Sequence, residues 1–142
     1  MSGTSKQELV EFMEKRFLCV LSTVNKDGRP ESAFVGYVSS RNQEIIIGTS
    51  NKSRKFKNIT GNKSVAVVIA DQTGEVQYEG QAEVLTGLDY ESLVSEGRFG
   101  KLPGLDKYRN DPTQVYLLIK PTWIRFILHG EADQITEFTE FA

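Results

Sequence analysis

Thr49, Ser53, Arg54 and Lys55 fall within one short stretch, GTSNKSRKF, that could hold a phosphate. Arginine offers a planar fork to phosphate oxygens and lysine a point charge. The two hydroxyls add donors. An apolar β-branched run, Ile45-Ile46-Ile47, precedes them, and a short helical pattern with Phe56 and Ile59 on one face follows. A strand, a polar turn and a basic helix start would aim unpaired backbone N–H groups at an anion. The charge distribution agrees. Between Glu44 and Asp71 there is no acid, but there are five bases: Lys52, Arg54, Lys55, Lys57 and Lys63. The rest of the chain carries 12 bases and 19 acids, and the net charge is −2. A basic patch on an acidic chain suits one local anion better than a polyanion. The competing reading is a solvated helix face with no ligand.

Other chemistry is restricted by what the chain contains. Its one cysteine, Cys19, rules out an internal disulfide and a cysteine-based metal site. Set in Phe17-Leu18-Cys19-Val20-Leu21, it reads as a buried structural thiol. The one histidine, His129, cannot build a multi-histidine metal centre, so no metal site is expected. There is no GxGxxG or P-loop pattern, and no serine lies in a nucleophile elbow. Nucleic-acid binding lacks both the net positive charge and the row of aromatics among bases that it needs. No apolar run approaches a membrane span, and the N-terminus lacks a signal-type apolar core, so a cytoplasmic protein without membrane contact is expected.

The elements that must position these residues can be read from periodicity. A chain of 142 residues is one domain's worth. A helix is expected from about Ser5 to Lys15, opened by the capping box Ser5–Glu8. Residues 17–24 read as a buried strand, Asn25-Lys26-Asp27-Gly28 as a hairpin turn and 30–39 as the returning strand. Glu44–Thr49 is the next strand, and Ser64–Ala70 a fully buried one. Glu75–Leu85 alternates as a half-buried strand, with Gly80 marking a bulge or close approach. A modest helix over 87–96 precedes a long loop to Pro112. Two further strands, 114–119 and 122–128, flank a break at Lys120-Pro121. Six or seven strands joined mostly by hairpin turns, with three short helices, fit a mainly β, antiparallel small barrel. The barrel should span residues 16–130 of a single domain, followed by an acidic, amphipathic tail over 131–142.

The order of these segments resembles the pyridoxamine 5'-phosphate oxidase-like family, whose members are FMN-binding split β-barrels. The resemblance runs from about Phe17 to Leu128. Its most specific part is Thr49-Ser50-Asn51-Lys52-Ser53-Arg54-Lys55, similar to the family's Thr-x-x-x-Ser-Arg-Lys element. It implies that Thr49, Ser53, Arg54 and Lys55 hold the FMN phosphate and ribityl chain. It places Ala33, Phe34, Val35 and Gly36 against the isoalloxazine ring, partly through backbone groups, unless they merely line the barrel. Gln77, or else Glu75, would give the ring a polar contact. Trp123 is a further candidate, at the cofactor or simply half-buried in the barrel. The resemblance also implies a homodimer with shared cofactor sites, to which Trp123, Phe126 and the Arg98–Tyr108 loop could contribute.

Departures limit the analogy. The vitamin-oxidising members place an arginine and a lysine on the second strand, where this chain has Ala33 and Val38. The chain is also shorter than a full vitamin oxidase, and its C-terminal substrate segment is not expected here. Oxidation of pyridoxamine phosphate is therefore not expected. The expectation is an FMN-binding oxidoreductase moving hydride to or from a small substrate or nicotinamide, with no catalytic side chain identified. The alternatives are a non-catalytic flavin-binding or stress-related protein, or a barrel that uses deazaflavin or haem.

Overall fold

The computed structural model describes residues 3–102 and 110–141. Helix α1 (Lys6–Glu14) begins at Ser5, whose side chain accepts from Glu8 N while Glu8 reaches back to Ser5 N. Both halves of the expected capping box are present. Its apolar stripe, Leu9, Phe12 and Met13, is buried in the core, where the Phe12 and Phe126 rings lie 5.1 Å apart. The chain then forms β1 (Leu18–Val24), β2 (Pro30–Gly36), β3 (Val38–Ser39), β4 (Ile45–Ser50), α2 (Arg54–Gly61), β5 (Ser64–Asp71), β6 (Gly74–Leu85), α3 (Gly87–Ser95), β7 (Gln114–Leu128) and β8 (Gln134–Phe138).

The strands form one antiparallel sheet in the order β2-β1-β5-β6-β7-β4-β3, with β8 also on β7. The consecutive strands β2 and β3 thus lie at opposite ends of the sheet. Tyr37, the residue between them, is fully buried and donates its hydroxyl to Met13 O. The chain crosses the open side of the sheet there, which curls the sheet into a split barrel. The expected strand over 30–39 is therefore two strands serving two edges. The hairpin turn is as expected, with Gly28 at φ +80°.

Two further expectations are revised. The strands expected on either side of Lys120-Pro121 are one strand of 15 residues, β7. Along one side it pairs with β6 from Tyr116 to Leu128, with a register shift near Pro121. Along the other it pairs with β4 up to Ile119 and with β8 from Ile124. Pro121 falls in the gap between those two partners, where a missing N–H costs least. The register shifts at Glu79/Gly80, and a Cβ on Gly80 would lie 2.5 Å from Lys120 O. The close approach expected of this glycine is present, so Gly80→Ala should lower stability by about 1–3 kcal/mol, measured by denaturant unfolding.

The second revision concerns burial. Strand β4 and the part of β7 over Tyr116–Ile119 are covered on both faces. Ile45 and Ile47 point into the barrel core, while Ile46 packs with Tyr90, Phe99, Tyr116 and Leu118 beneath α3. Strand β1, expected to be buried, and β5, expected to be fully buried, instead alternate between buried and more exposed residues. Their outward side chains include Leu18, Val20 and Val68, all exposed. The tail residues form β8, and Lys6 Nζ stands 4.8 Å from the centre of the Phe141 ring while donating to Glu140 O. Part of the expected loop, residues 103–109 with Tyr108, lies outside the described residues.

Candidate functional site

Helix α2 starts where β4 ends. Ser53 caps it, its Oγ accepting from Phe56 N at 3.2 Å and from Thr49 Oγ1 at 3.0 Å. With both contacts accepted, the Ser53 hydroxyl proton is free to donate outward. Ile59 is buried in the barrel core and fixes the helix against β1. That rotation turns Arg54 and Lys55 toward the β1–β2 hairpin. They line a pocket of about 90 Å³ with Leu21 and Thr23 of β1 and Glu31, Ser32 and Ala33 of β2.

The two cations differ in setting. Arg54 is 74% exposed in its side chain and lies 3.4 Å from Glu31 Oε2. Lys55 is half-buried, and burial lowers its pKa. Among the described residues it pairs with no carboxylate. A partly desolvated ammonium of this kind gains from a bound anion. The Ser53 hydroxyl, the helix start and the two cations make a donor set that fits a phosphate; Thr49 donates its proton to Ser53, and neither hydroxyl residue lines the pocket of Arg54 and Lys55.

Sequence reasoning missed Glu31. It lies outside the basic window in sequence, but strand pairing sets it opposite Thr23 and brings it to α2. A two-residue period from Ala33 would have found it on the same face of β2. Asn58 also escaped notice. Its Nδ2 donates to Thr23 Oγ1 at 2.9 Å and to Glu31 Oε1 at 2.8 Å.

The ring-contact candidates divide by strand alternation. Ala33 lines the basic pocket, and Val35 packs on the barrel core. Phe34 points outward and is 71% exposed. Across the sheet it pairs with Val20, which pairs with Val68, which pairs with Gln77, which pairs with Arg125. Gln77 is half-buried and donates to Glu75 at 2.8 Å. Trp123 is half-buried in the neighbouring row, opposite Glu79. Phe126 is fully buried in the core and cannot reach an interface. The structure thus gathers Ala33, Thr49, Ser53, Arg54 and Lys55 around one helix start. It sets Phe34, Gln77 and Trp123 on the outer sheet face.

Backbone groups add a third surface. Tyr37 N donates to Phe17 O and Asn25 N to Arg29 O, so the odd-numbered residues of β2 bond to β1. The N–H and C=O groups of Ser32, Phe34 and Gly36 therefore face the other edge, where β2 has no partner strand among the described residues.

A larger cavity of about 750 Å³ begins where β2 ends. Met13, Phe17, Tyr37, Val38 and Phe99 give it apolar walls; Arg16, Arg41 and Arg98 give it charge. Arg16 is bound to Asp71 and Arg98 to Glu44, while Ser39 Oγ is buried without a partner among the described residues. None of the residues expected from the sequence to hold the cofactor lines this cavity, although Val38 and the start of the Arg98–Tyr108 loop do.

Cys19 is buried, and its pKa is pushed up to about 12 by desolvation, which rules out a thiolate nucleophile near neutral pH. His129 is exposed, with Nδ1 3.3 Å from Asp133. Among the described residues no three His, Cys, Asp or Glu side chains cluster as a metal site would require. No helix there is long and apolar enough to cross a membrane.

The family model described as pyridoxamine 5'-phosphate oxidase matches residues 5–128. No curated protein is significantly similar in sequence. Several solved structures share the fold. General stress protein 26 from Bacillus anthracis is 22% identical with a TM-score of 0.69, covering 94% of this chain and 98% of that one. A pyridoxamine 5'-phosphate oxidase-related, FMN-binding protein from Nostoc punctiforme is 14% identical with a TM-score of 0.66, covering 95% and 84%. A haem-binding protein from Mycobacterium smegmatis is 15% identical with a TM-score of 0.73, covering 96% of this chain and 59% of that chain.

Proposed function

The chain belongs to the pyridoxamine 5'-phosphate oxidase family, and on that premise we propose that it is a homodimeric FMN-binding oxidoreductase acting on a small molecule. The observation that carries this reading is the cluster at the start of α2. Thr49 and Ser53 are joined there by a hydrogen bond, and Arg54 and Lys55 line the pocket beside Ala33. These groups would hold the phosphate. The open edge of β2 offers the N–H and C=O groups of Phe34 and Gly36 to the ring system, whose edge carries matching acceptors and donors. Gln77 and Trp123 stand on the outer face, where a second copy would bring its own site residues.

When bound, FMN supplies the hydride chemistry. The chain's residues bind, orient and shield. The cavity beyond Gly36, bounded by Tyr37, Val38 and Phe99, gives a small substrate room at the ring end. The second copy would cover the exposed row Phe34–Val20–Val68, because apolar side chains in contiguous register mark an interface.

A titration separates the parts of this reading. FMN should bind at least tenfold more tightly than riboflavin, which lacks the phosphate, since charge-assisted hydrogen bonds are worth about 1.5–3 kcal/mol each. Equal affinities would contradict the phosphate grip. Steady-state oxidation of reduced nicotinamide in the presence of an acceptor then tests the enzymatic part. Retained flavin without turnover would favour a flavin-storing or sensing protein. That alternative rests on the assignment of Arg54 and Lys55 to the phosphate, which leaves no pocket-lining side chain with a role in proton transfer.

A further inference from the structure

Glu31 is an anion built into a pocket assigned to an anion. Its side chain is held from three directions. Oε1 accepts from Asn58 Nδ2 at 2.8 Å, and Oε2 lies 3.3 Å from Asn25 Nδ2 and 3.4 Å from the Arg54 guanidinium. Asn58 is itself fixed by Thr23 Oγ1. The carboxylate is therefore placed by β1, the β1–β2 turn and α2 together. The hydrogen bond from Asn58, then that from Asn25, lowers its pKa, so it stays ionised through the neutral range. The same pocket holds Arg54 and Lys55.

Two charges of opposite sign at one site divide phosphate-bearing ligands into two classes. A bare phosphate can draw the Arg54 fork away from Glu31, but it then faces a carboxylate oxygen that has lost a donor. The two like charges repel each other at close range. A phosphate ester whose alcohol part carries hydroxyl groups can draw off Arg54 in the same way. A hydroxyl a few bonds away then donates to Oε2 and replaces the lost contact. Carboxylates grip sugar hydroxyls beside phosphate sites in dinucleotide-binding folds by this chemistry. The Arg54 contact is the one to exchange. It is the longest of the three, and its side chain is the most exposed group in the network.

We infer that Glu31 is a specificity-determining residue that selects phosphomonoesters of polyhydric alcohols over inorganic phosphate and other bare oxyanions. The inference rests on the phosphate grip proposed above and adds to it the residue that reads the hydroxyl groups of the ester. Glu31 works as an acceptor for ligand hydroxyls and as a penalty against anions that bring none.

The test compares two probes, inorganic phosphate and ribitol 5-phosphate, by calorimetric titration of the full chain. Glu31→Gln keeps the size and removes the charge. It should tighten inorganic phosphate and weaken ribitol 5-phosphate, so that the ratio of the two affinities falls by about tenfold or more. Glu31→Asp keeps the charge and withdraws it by one methylene. It should weaken ribitol 5-phosphate without tightening inorganic phosphate. A purely structural role for Glu31 in holding Asn58 would move both probes in the same direction, and that result would overturn the inference. An unchanged ratio in both variants would overturn it as well. Arg54→Ala with Lys55→Ala is the control. If neither probe responds to that change, the phosphate grip itself is wrong. If both probes respond but the ratio survives Glu31→Gln, only the role of Glu31 is wrong.

Discussion

Replacing Arg54 and Lys55 together with alanine should weaken FMN binding by about one to two orders of magnitude while leaving the barrel folded. The size follows from the two environments. Lys55 is half-buried and unpaired among the described residues, so a phosphate would complete its coordination in a partly desolvated place. Arg54 is 74% exposed, so solvent screens its share. At the low end of about 1.5 kcal/mol for each charged contact, the pair supplies about 3 kcal/mol, or roughly a hundredfold. Stability should change little, because α2 is held by its Ser53 cap and by Ile59 rather than by these side chains. Fluorescence titration of FMN against wild type and the double variant measures the difference. Riboflavin provides an internal check, since its affinity should be nearly indifferent to the same substitutions. Unchanged FMN affinity would remove the assignment of Thr49, Ser53, Arg54 and Lys55 to a phosphate.

The second large effect concerns assembly. Phe34→Asp combined with Val68→Asp should raise the dimer dissociation constant by about a thousandfold. Phe34 is 71% exposed, and it pairs across β1 with Val20, which pairs in turn with Val68. A chain this size has little reason to leave a phenylalanine and two valines in register on an open sheet face unless something covers them. Buried interface anchors cost 2 kcal/mol or more each when lost, and two carboxylates in their place add a desolvation penalty. Sedimentation equilibrium on both proteins gives the answer. A dimeric wild type with a monomeric variant is expected, along with weaker flavin retention in the variant, since the site is proposed to be shared. A variant that stays dimeric would place the interface elsewhere. A wild-type protein that is monomeric at all accessible concentrations would remove the shared site.

Much of this architecture was legible because local signals and tertiary packing agreed. The Ser5–Glu8 box, the Gly28 turn and the Gly80 close approach each follow from chemistry acting within a few residues or across one ladder. The basic helix was visible because its charges are contiguous in sequence. What stayed hidden depends on pairing between distant strands. β7 was read as two strands because Pro121 normally ends one, and only its position between the β4 and β8 partners makes it tolerable. Residues 134–138 were read as a tail because the three-residue spacing of Ile135, Phe138 and Phe141 masks the two-residue alternation of β8. SVAVVIA looked fully buried because Ala66, Val68 and Ala70 are apolar, yet they face outward. The apolar run belongs to a sheet face that is left open among the described residues. Glu31 was missed for the same kind of reason. A charge count along the chain cannot see a carboxylate that register delivers to Arg54 from a different segment.

The most direct test of the central claim is the absorbance spectrum of the purified protein, taken before and after incubation with FMN and removal of the excess. The account predicts the bands of oxidised flavin remaining with the protein, and losing them when Arg54 and Lys55 are both replaced by alanine. A protein that stays colourless after exposure to FMN, or that instead retains haem or deazaflavin while rejecting FMN, would contradict it.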